Sequence, residues 1–371
     1  MADRLHTEIT AAVTRADDDI ALEHLELGEL RDDEGLVRIV SAGICGTDLE
    51  VLKGAVDLAT KPIVLGHEGA GIVEQVGGGV TGVAAGDVVI LTVASCGQCD
   101  HCRTGRPGYC IHHTDMNFSG GRVDGSTAFV DTRGRPVHSH FFHQSSWAEM
   151  AVAHVSNVIK VSPEVDPHVL GPFGCGVLTG AGAVLDLLNV ETGSSIAVFG
   201  LGAVGLVSIM AAAAAGASTI IAVGRKTDQL DRALTVGATH AVNSAETDVV
   251  NAVREITGRD GVLYSVEATG SPAVMRTSVD VLAETGRAAL TGVAAGQTLE
   301  LDAWSLIRGR TVHGTTLGDA QPSILLPRLV DLYLQGRFPI DKIQSHYRLD
   351  QLAEALEDSR SGRVAKAVLH P

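Results

Sequence analysis

Apolar residues are spaced differently in the two parts of this chain. Over roughly the first 175 residues they come in short runs, such as 35–40 and 71–76, cut by Gly and Asp, a pattern that predicts short β-strands. From Cys175 onwards, apolar runs at 196–199, 219–223, 238–243, 261–267, 288–292 and 311–315 alternate with helix-length segments. Strands alternating with helices predict βαβ units and a parallel sheet, and six of them fit a doubly wound α/β domain that binds a nucleotide. The remaining tail predicts helices at 323–335 and 349–361 and a closing strand at 365–369. Because a six-stranded sheet is already complete, the tail is expected to pack back on the first region. The expected division is therefore 1–177 with 321–371 as one domain and 178–320 as the other.

Composition narrows the class. Of 371 residues, 45% are hydrophobic and 19% charged, so there is material for packed cores and disorder is excluded. The formal charge of −16 argues against a nucleic-acid backbone or an anionic membrane as partner. Residues 1–6 lack the apolar core of a signal peptide, and no apolar run approaches the roughly 20 residues of a membrane span. A cytoplasmic protein is the expectation, and six cysteines in a reducing compartment point to metal or catalysis before disulfides.

Four of those cysteines form Cys96-x2-Cys99-x2-Cys102-x7-Cys110 in a polar, Gly-containing loop. That spacing suits a tetrahedral all-thiolate zinc, with an iron–sulfur cluster as the alternative, and four protein ligands make a structural site. The other two, Cys45 and Cys175, lie in glycine-bracketed segments, with Gly66-His67-Glu68 between them. Two thiolates and an imidazole would leave a zinc with one open position, the layout of a catalytic site. His67 is one of 15 histidines, and the residues alone do not single it out.

Gly200-Leu201-Gly202-Ala203-Val204-Gly205 follows the strand at 196–199 and opens a helix running to about residue 215, which reads as a pyrophosphate cradle at a helix N-terminus. The next strand ends in Gly224-Arg225-Lys226 where an NAD-preferring site carries an acidic residue. Two cations and no carboxylate there favour NADP over NAD.

Taken together, these residues resemble the medium-chain, zinc-containing alcohol dehydrogenases over essentially the whole chain. The likeness rests on Gly66-His67-Glu68-x2-Gly71-x5-Gly77-x2-Val80, Gly86-Asp87-Val88, the four-cysteine loop, and Cys175 before Thr179-Gly180. Gly171-Pro172-Phe173-Gly174-Cys175-Gly176, His140-Phe141-Phe142-x-Gln144-Ser145-Ser146 and Pro327-Arg328-Leu329 look most like the bacterial aryl- or benzyl-alcohol dehydrogenases. The resemblance implies a GroES-like β-rich catalytic domain and a Rossmann cofactor domain. It implies Cys45, His67 and Cys175 as ligands of a catalytic zinc acting as a Lewis acid, with Asp48 orienting His67. Glu68 has two readings, a residue behind the metal or, as in some polyol-oxidising relatives, a ligand. Thr47 matches the hydroxyl that takes the alcohol proton. Relatives that end this relay in a histidine have it where this chain has Glu50, so Glu50 or bulk water would take over. Thr179, Val293, Leu317 and Lys366 are implied on the cofactor side, Lys366 near the pyrophosphate. Thr92, Phe118, Phe141 and Phe142 are implied in an apolar substrate channel, which favours aromatic or other apolar primary alcohols over polyols. A homodimer or homotetramer is implied, with the strand at 311–315 a candidate for pairing across a two-fold axis. The competing functions are a polyol or glutathione-adduct dehydrogenase on the same scaffold, and an inactive zinc-stabilised binding protein. A zinc-ribbon nucleic-acid binder fails on net charge.

Overall fold

The computed structural model describes residues 8–55 and 59–371, which leaves the sequence reading of residues 1–6 outside the described residues. These fall into two compact units, one of Met1–Cys175, Gln321–Asp331 and Gln344–Pro371, the other of Gly176–Ala320 and Leu332–Ile343.

The first unit is β-rich. Its seven-stranded sheet centres on Glu34–Gly43, which pairs antiparallel with Gly69–Val76, Met150–His154 and the closing strand Lys366–His370. The last of these runs parallel to Gln344–Arg348 at the sheet edge. The tail puts two strands into this sheet where the sequence predicts one, since Gln344–Arg348 carries too few apolar residues to be read from sequence, and its stretch Leu332–Ile343 falls in the second unit and not with the first region. A five-stranded sheet contains Glu8–Ala16 and Asp19–Leu27. A core of Ile9, Val13, Leu25, Phe129 and Val152 forms on inward-facing alternate positions.

The second unit is a six-stranded parallel sheet. Its order is His240–Asn243, Thr219–Gly224, Ser195–Phe199, Val262–Glu267, Leu282–Leu290, Thr311–Gly314. This is the doubly wound order, with the strand order reversing its progression beside Ser195–Phe199, where such folds bind ligands outside the carboxyl ends. The central strands read as continuous apolar runs because helices cover both faces. The fifth strand begins at Leu282, earlier than the apolar run at 288–292 suggests. A register shift against Val262–Glu267 and left-handed Thr285 interrupt its first half, which hides it from pattern reading.

Candidate functional site

Two groups in the first unit bring metal-ligating atoms within 4.8 Å of one another, and no others do so among the described residues. The first is Cys96, Cys99, Cys102 and Cys110. Cys99 caps the short helix Asp100–Arg103, which folds the CxxCxxC run into a knot. The Cys102 sulfur lies 3.9 Å from that of Cys96 and 3.5 Å from that of Cys99. A tetrahedral ion with Zn–S bonds of about 2.3 Å holds its sulfurs about 3.8 Å apart, so the donor set fits one zinc. A multi-iron cluster needs a wider cage.

The second group is Cys45, His67, Glu68 and Cys175. Cys45 is the N-cap of the helix Gly46–Leu52. Asp48 in that first turn is fully buried and serves three groups: it accepts from Cys45 N at 3.0 Å, Gly66 N at 3.2 Å and His67 Nδ1 at 2.9 Å. A carboxylate accepts only, so His67 Nδ1 carries a proton and Nε2 is left with its lone pair. That Nε2 is buried with no hydrogen-bond partner among the described residues. An orphaned imidazole nitrogen between two thiols is the donor set of a zinc site with an open position.

Glu68, itself a member of that group, forms a buried ion pair with Lys366, whose Nζ also donates to the Ile44 carbonyl oxygen at 2.9 Å. Burial pushes the Glu68 carboxyl up to about 7 even against the Lys366 charge. Lys366, expected near a pyrophosphate, is thus buried in the first unit, where an unpaired Glu68 would be costly.

Around His67 the structure gathers three phenylalanines. The Phe142 ring stacks on His67 at 4.4 Å, Phe141 meets it edge-on at 5.8 Å, and Phe118 packs on Phe142 at 4.9 Å. Thr92, expected to line the channel, instead donates its hydroxyl to the Gly174 carbonyl oxygen at 2.6 Å, anchoring the chain before Cys175. Thr47 is half-buried on the helix Gly46–Leu52; Glu50, one turn on, is exposed and faces Lys53 at 3.4 Å.

The structure adds two residues. Gln144 accepts from Gly69 N and donates to the carbonyl oxygens of His67 and Thr92. Asn157 donates to those of Thr92, Phe142 and His143. They hold Phe142 and His143 at φ 52° and Ser145 at φ 48°, conformations disfavoured for residues with side chains. Gln144 stood in a motif quoted above; nothing in the sequence marked Asn157.

In the second unit the glycine turn is built as a cradle. Gly202 is the N-cap of the helix Ala203–Ala215, and a Cβ there would meet only open space within 4 Å, room a ligand can use. A Cβ on Gly205 would lie 1.8 Å from the Gly200 carbonyl oxygen, so the helix can start this close only with glycine. Ala203 and Val204 are half-buried in the first turn. Gly200 N donates to Val223 O at 3.2 Å, which puts Gly224 and exposed Arg225 and Lys226 beside the cradle. Gly200 also abuts Thr269, Gly270 abuts Val293, and the turn Leu317–Asp319 lies against the helix Gly176–Gly182 that carries Thr179. The glycine turn, Gly224, Val293 and Leu317 thus follow carboxyl ends of neighbouring strands.

Residues 31–163 match the family model for the alcohol dehydrogenase GroES-like domain, and 203–333 that for zinc-binding dehydrogenase. The geraniol dehydrogenase of Castellaniella defragrans is 38% identical over 359 residues, 94% of each chain. A crystal structure of benzyl alcohol dehydrogenase from Acinetobacter calcoaceticus superposes with a TM-score of 0.93 at 40% identity, over 98% of this chain and 99% of that one. An alcohol dehydrogenase zinc-binding domain protein from Burkholderia ambifaria does so at 0.96 and 47%, with the same coverage.

Proposed function

The chain belongs to the zinc-containing, medium-chain alcohol dehydrogenase family, and from that premise we propose that it interconverts apolar primary alcohols, aromatic ones included, with their aldehydes, using NADP. The observation that carries the substrate reading is the aromatic wall of Phe118, Phe141 and Phe142 against His67. Flat aromatic faces reward a substrate ring and offer a polyol no hydrogen bonds. The names of the geraniol and benzyl alcohol relatives agree with such a substrate.

Cys45, His67 and Cys175 would hold the catalytic zinc, and Cys96, Cys99, Cys102 and Cys110 a structural one. Bound zinc would supply Lewis acidity that makes an alcohol easier to deprotonate, and a bound nicotinamide would supply the hydride acceptor. Asp48 keeps His67 in its ligating tautomer. Glu68 is withheld from the metal by Lys366. The Thr47 hydroxyl takes the alcohol proton and passes it outward; with Glu50 exposed beside Lys53, the relay ends in solvent. Residues 1–175 with 321–331 and 344–371 would act as the catalytic domain, and 176–320 with 332–343 as the cofactor domain.

The NADP reading rests on Gly224-Arg225-Lys226, which places cations and no carboxylate beside the glycine cradle. Thr179, Val293 and Leu317 complete the cofactor side. A homodimer or homotetramer is favoured by the edge position of Thr311–Gly314. A cytoplasmic location agrees with there being no helix among the described residues long and apolar enough to cross a membrane.

The test is turnover of benzyl alcohol by the purified holoenzyme, with NADP and NAD in parallel and a chelator-treated control. Faster turnover with NADP, lost on metal removal and shifted towards NAD by Arg225→Asp, is expected. Turnover with NAD alone would overturn the cofactor reading, and oxidation of polyols but not benzyl alcohol the substrate reading.

A further inference from the structure

Glu267 ends the strand Val262–Glu267 at the carboxyl edge of the parallel sheet, and none of the roles assigned above uses it. Its side chain is fully buried. The carboxylate oxygen Oε1 accepts from Thr269 N at 2.6 Å, from Gly270 N at 3.1 Å and from the Thr269 hydroxyl. The backbone oxygen of the same residue accepts from Thr291 N at 2.8 Å, from Gly292 N at 3.2 Å and from the Thr291 hydroxyl at 2.8 Å. One residue therefore ties together the turns that follow two neighbouring strands, Val262–Glu267 and Leu282–Leu290.

Both turns belong to the surroundings of the glycine cradle. Ala268 N donates at 2.9 Å to the carbonyl oxygen of Phe199, the residue before Gly200. A Cβ on Gly200 would lie 2.6 Å from Thr269 Cγ2 and 3.1 Å from the Ala268 carbonyl carbon. A Cβ on Gly292 would lie 2.1 Å from Gly270 N and 2.7 Å from Glu267 Oε2, so the two turns meet with no space for a side chain. Val293, on the cofactor side, follows directly.

Among the described residues, the partners of this carboxylate are two successive backbone N–H groups and a hydroxyl, all neutral donors. Successive N–H groups turned to one point make a nest for an anion, and here a side chain of the protein itself fills it. Charge-assisted bonds of this kind are stronger than neutral ones, so residues 268–270 are fixed against Gly200 when the chain folds.

We propose that Glu267 is a positioning residue for the nicotinamide dinucleotide: it orders the turns 268–270 and 291–293 against the cradle, so that the cofactor meets a preformed wall. This rests on the reading of the glycine turn as the cofactor cradle. A site ordered in advance binds more tightly, because the turns lose no further freedom on binding. The acting group is the acceptor at Oε1, where all three donors converge.

The zinc-loaded holoenzyme is titrated with NADPH and, separately, with NADH, and Kd is read from the change in nicotinamide fluorescence. Melting temperature and zinc per chain are measured alongside. Glu267→Ala should raise the Kd of the preferred cofactor about tenfold or more with zinc content unchanged, because the donors of residues 268–270 lose their acceptor. Glu267→Met, which keeps the length of the side chain without the acceptor, should show the same loss even if the alanine variant folds poorly. Glu267→Gln keeps an acceptor at Oε1 and should stay within about threefold of the wild type. Asp280→Ala removes the carboxylate that pairs with Arg276 at the other end of the helix Pro272–Asp280, and should keep the wild-type Kd. A wild type that binds neither cofactor would overturn the cradle reading itself. A wild type that binds, with Glu267→Ala and Glu267→Met variants binding as tightly or Glu267→Gln as weakly as Glu267→Met, would overturn the role of Glu267 alone.

Discussion

Asp48 shows how much one side chain decides. Its carboxylate is fully buried and serves the backbone at Cys45 and Gly66 as well as the His67 ring, so it sets both the entry of a helix and the tautomer of that imidazole. Asp48→Asn puts an amide where only acceptors are wanted, and should lower zinc affinity about 10- to 100-fold, read as zinc retained per chain after dialysis. Glu50 is the contrasting case. It is exposed and within reach only of Lys53 among the contacts of its helix, a pairing worth little in solvent. Glu50→Gln should leave the pH–rate profile unchanged; a displaced limb would restore Glu50 to the proton path. Both carboxylates were candidates from the sequence, which ranks residues by motif and says nothing of burial.

At the scale of elements, the cradle depends on how a strand hands over to a helix. The helix Ala203–Ala215 can begin beside the Gly200 carbonyl only because Gly205 lacks a Cβ. Gly205→Ala sets a carbon 1.8 Å from that oxygen, so the helix must move off the turn. The expected results are a cofactor KM at least tenfold higher and a loss of about 1–3 kcal/mol in stability, read by titration and by thermal melting. The long alternating elements of this unit were legible in the chain because parallel strands are buried on both faces and read as apolar runs. The strand Gln344–Arg348 was not, since an edge strand with polar residues carries no such signature. The loop from Phe141 to Ser145 was legible as a motif but not as a strained structure, which needs Gln144 and Asn157 to hold it.

For the molecule as a whole, acid stability should be governed in part by Glu34. Its carboxylate is buried at the start of the central strand, with Arg122 Nε at 2.5 Å and His140 Nε2 at 3.5 Å. Burial alone would raise its pKa, but the close approach of His140 and the bonds from Arg122 outweigh it and hold the carboxyl below the usual carboxylate range. A group depressed in the folded state contributes stability that is full above its ordinary value of 4.5 and is lost as pH falls below it. The melting temperature of the wild type should therefore drop more steeply than that of Glu34→Gln on going below pH 4.5. At neutral pH the variant should already be less stable by about 3 kcal/mol, because Arg122 is left buried without its partner. Equal acid limbs in the two proteins would remove Glu34 from this role. The chain by itself determined the change from β-rich to alternating elements, the CxxCxxC spacing and the glycine turn, because spacing along a chain fixes short-range chemistry and periodicity fixes which faces are buried. Only the tertiary structure decided that Lys366 answers Glu68 and that Thr92 anchors Gly174. Those pairings join positions far apart in sequence, and the cost of burying a charge or a donor without a partner is set by surroundings that exist only once the chain has folded.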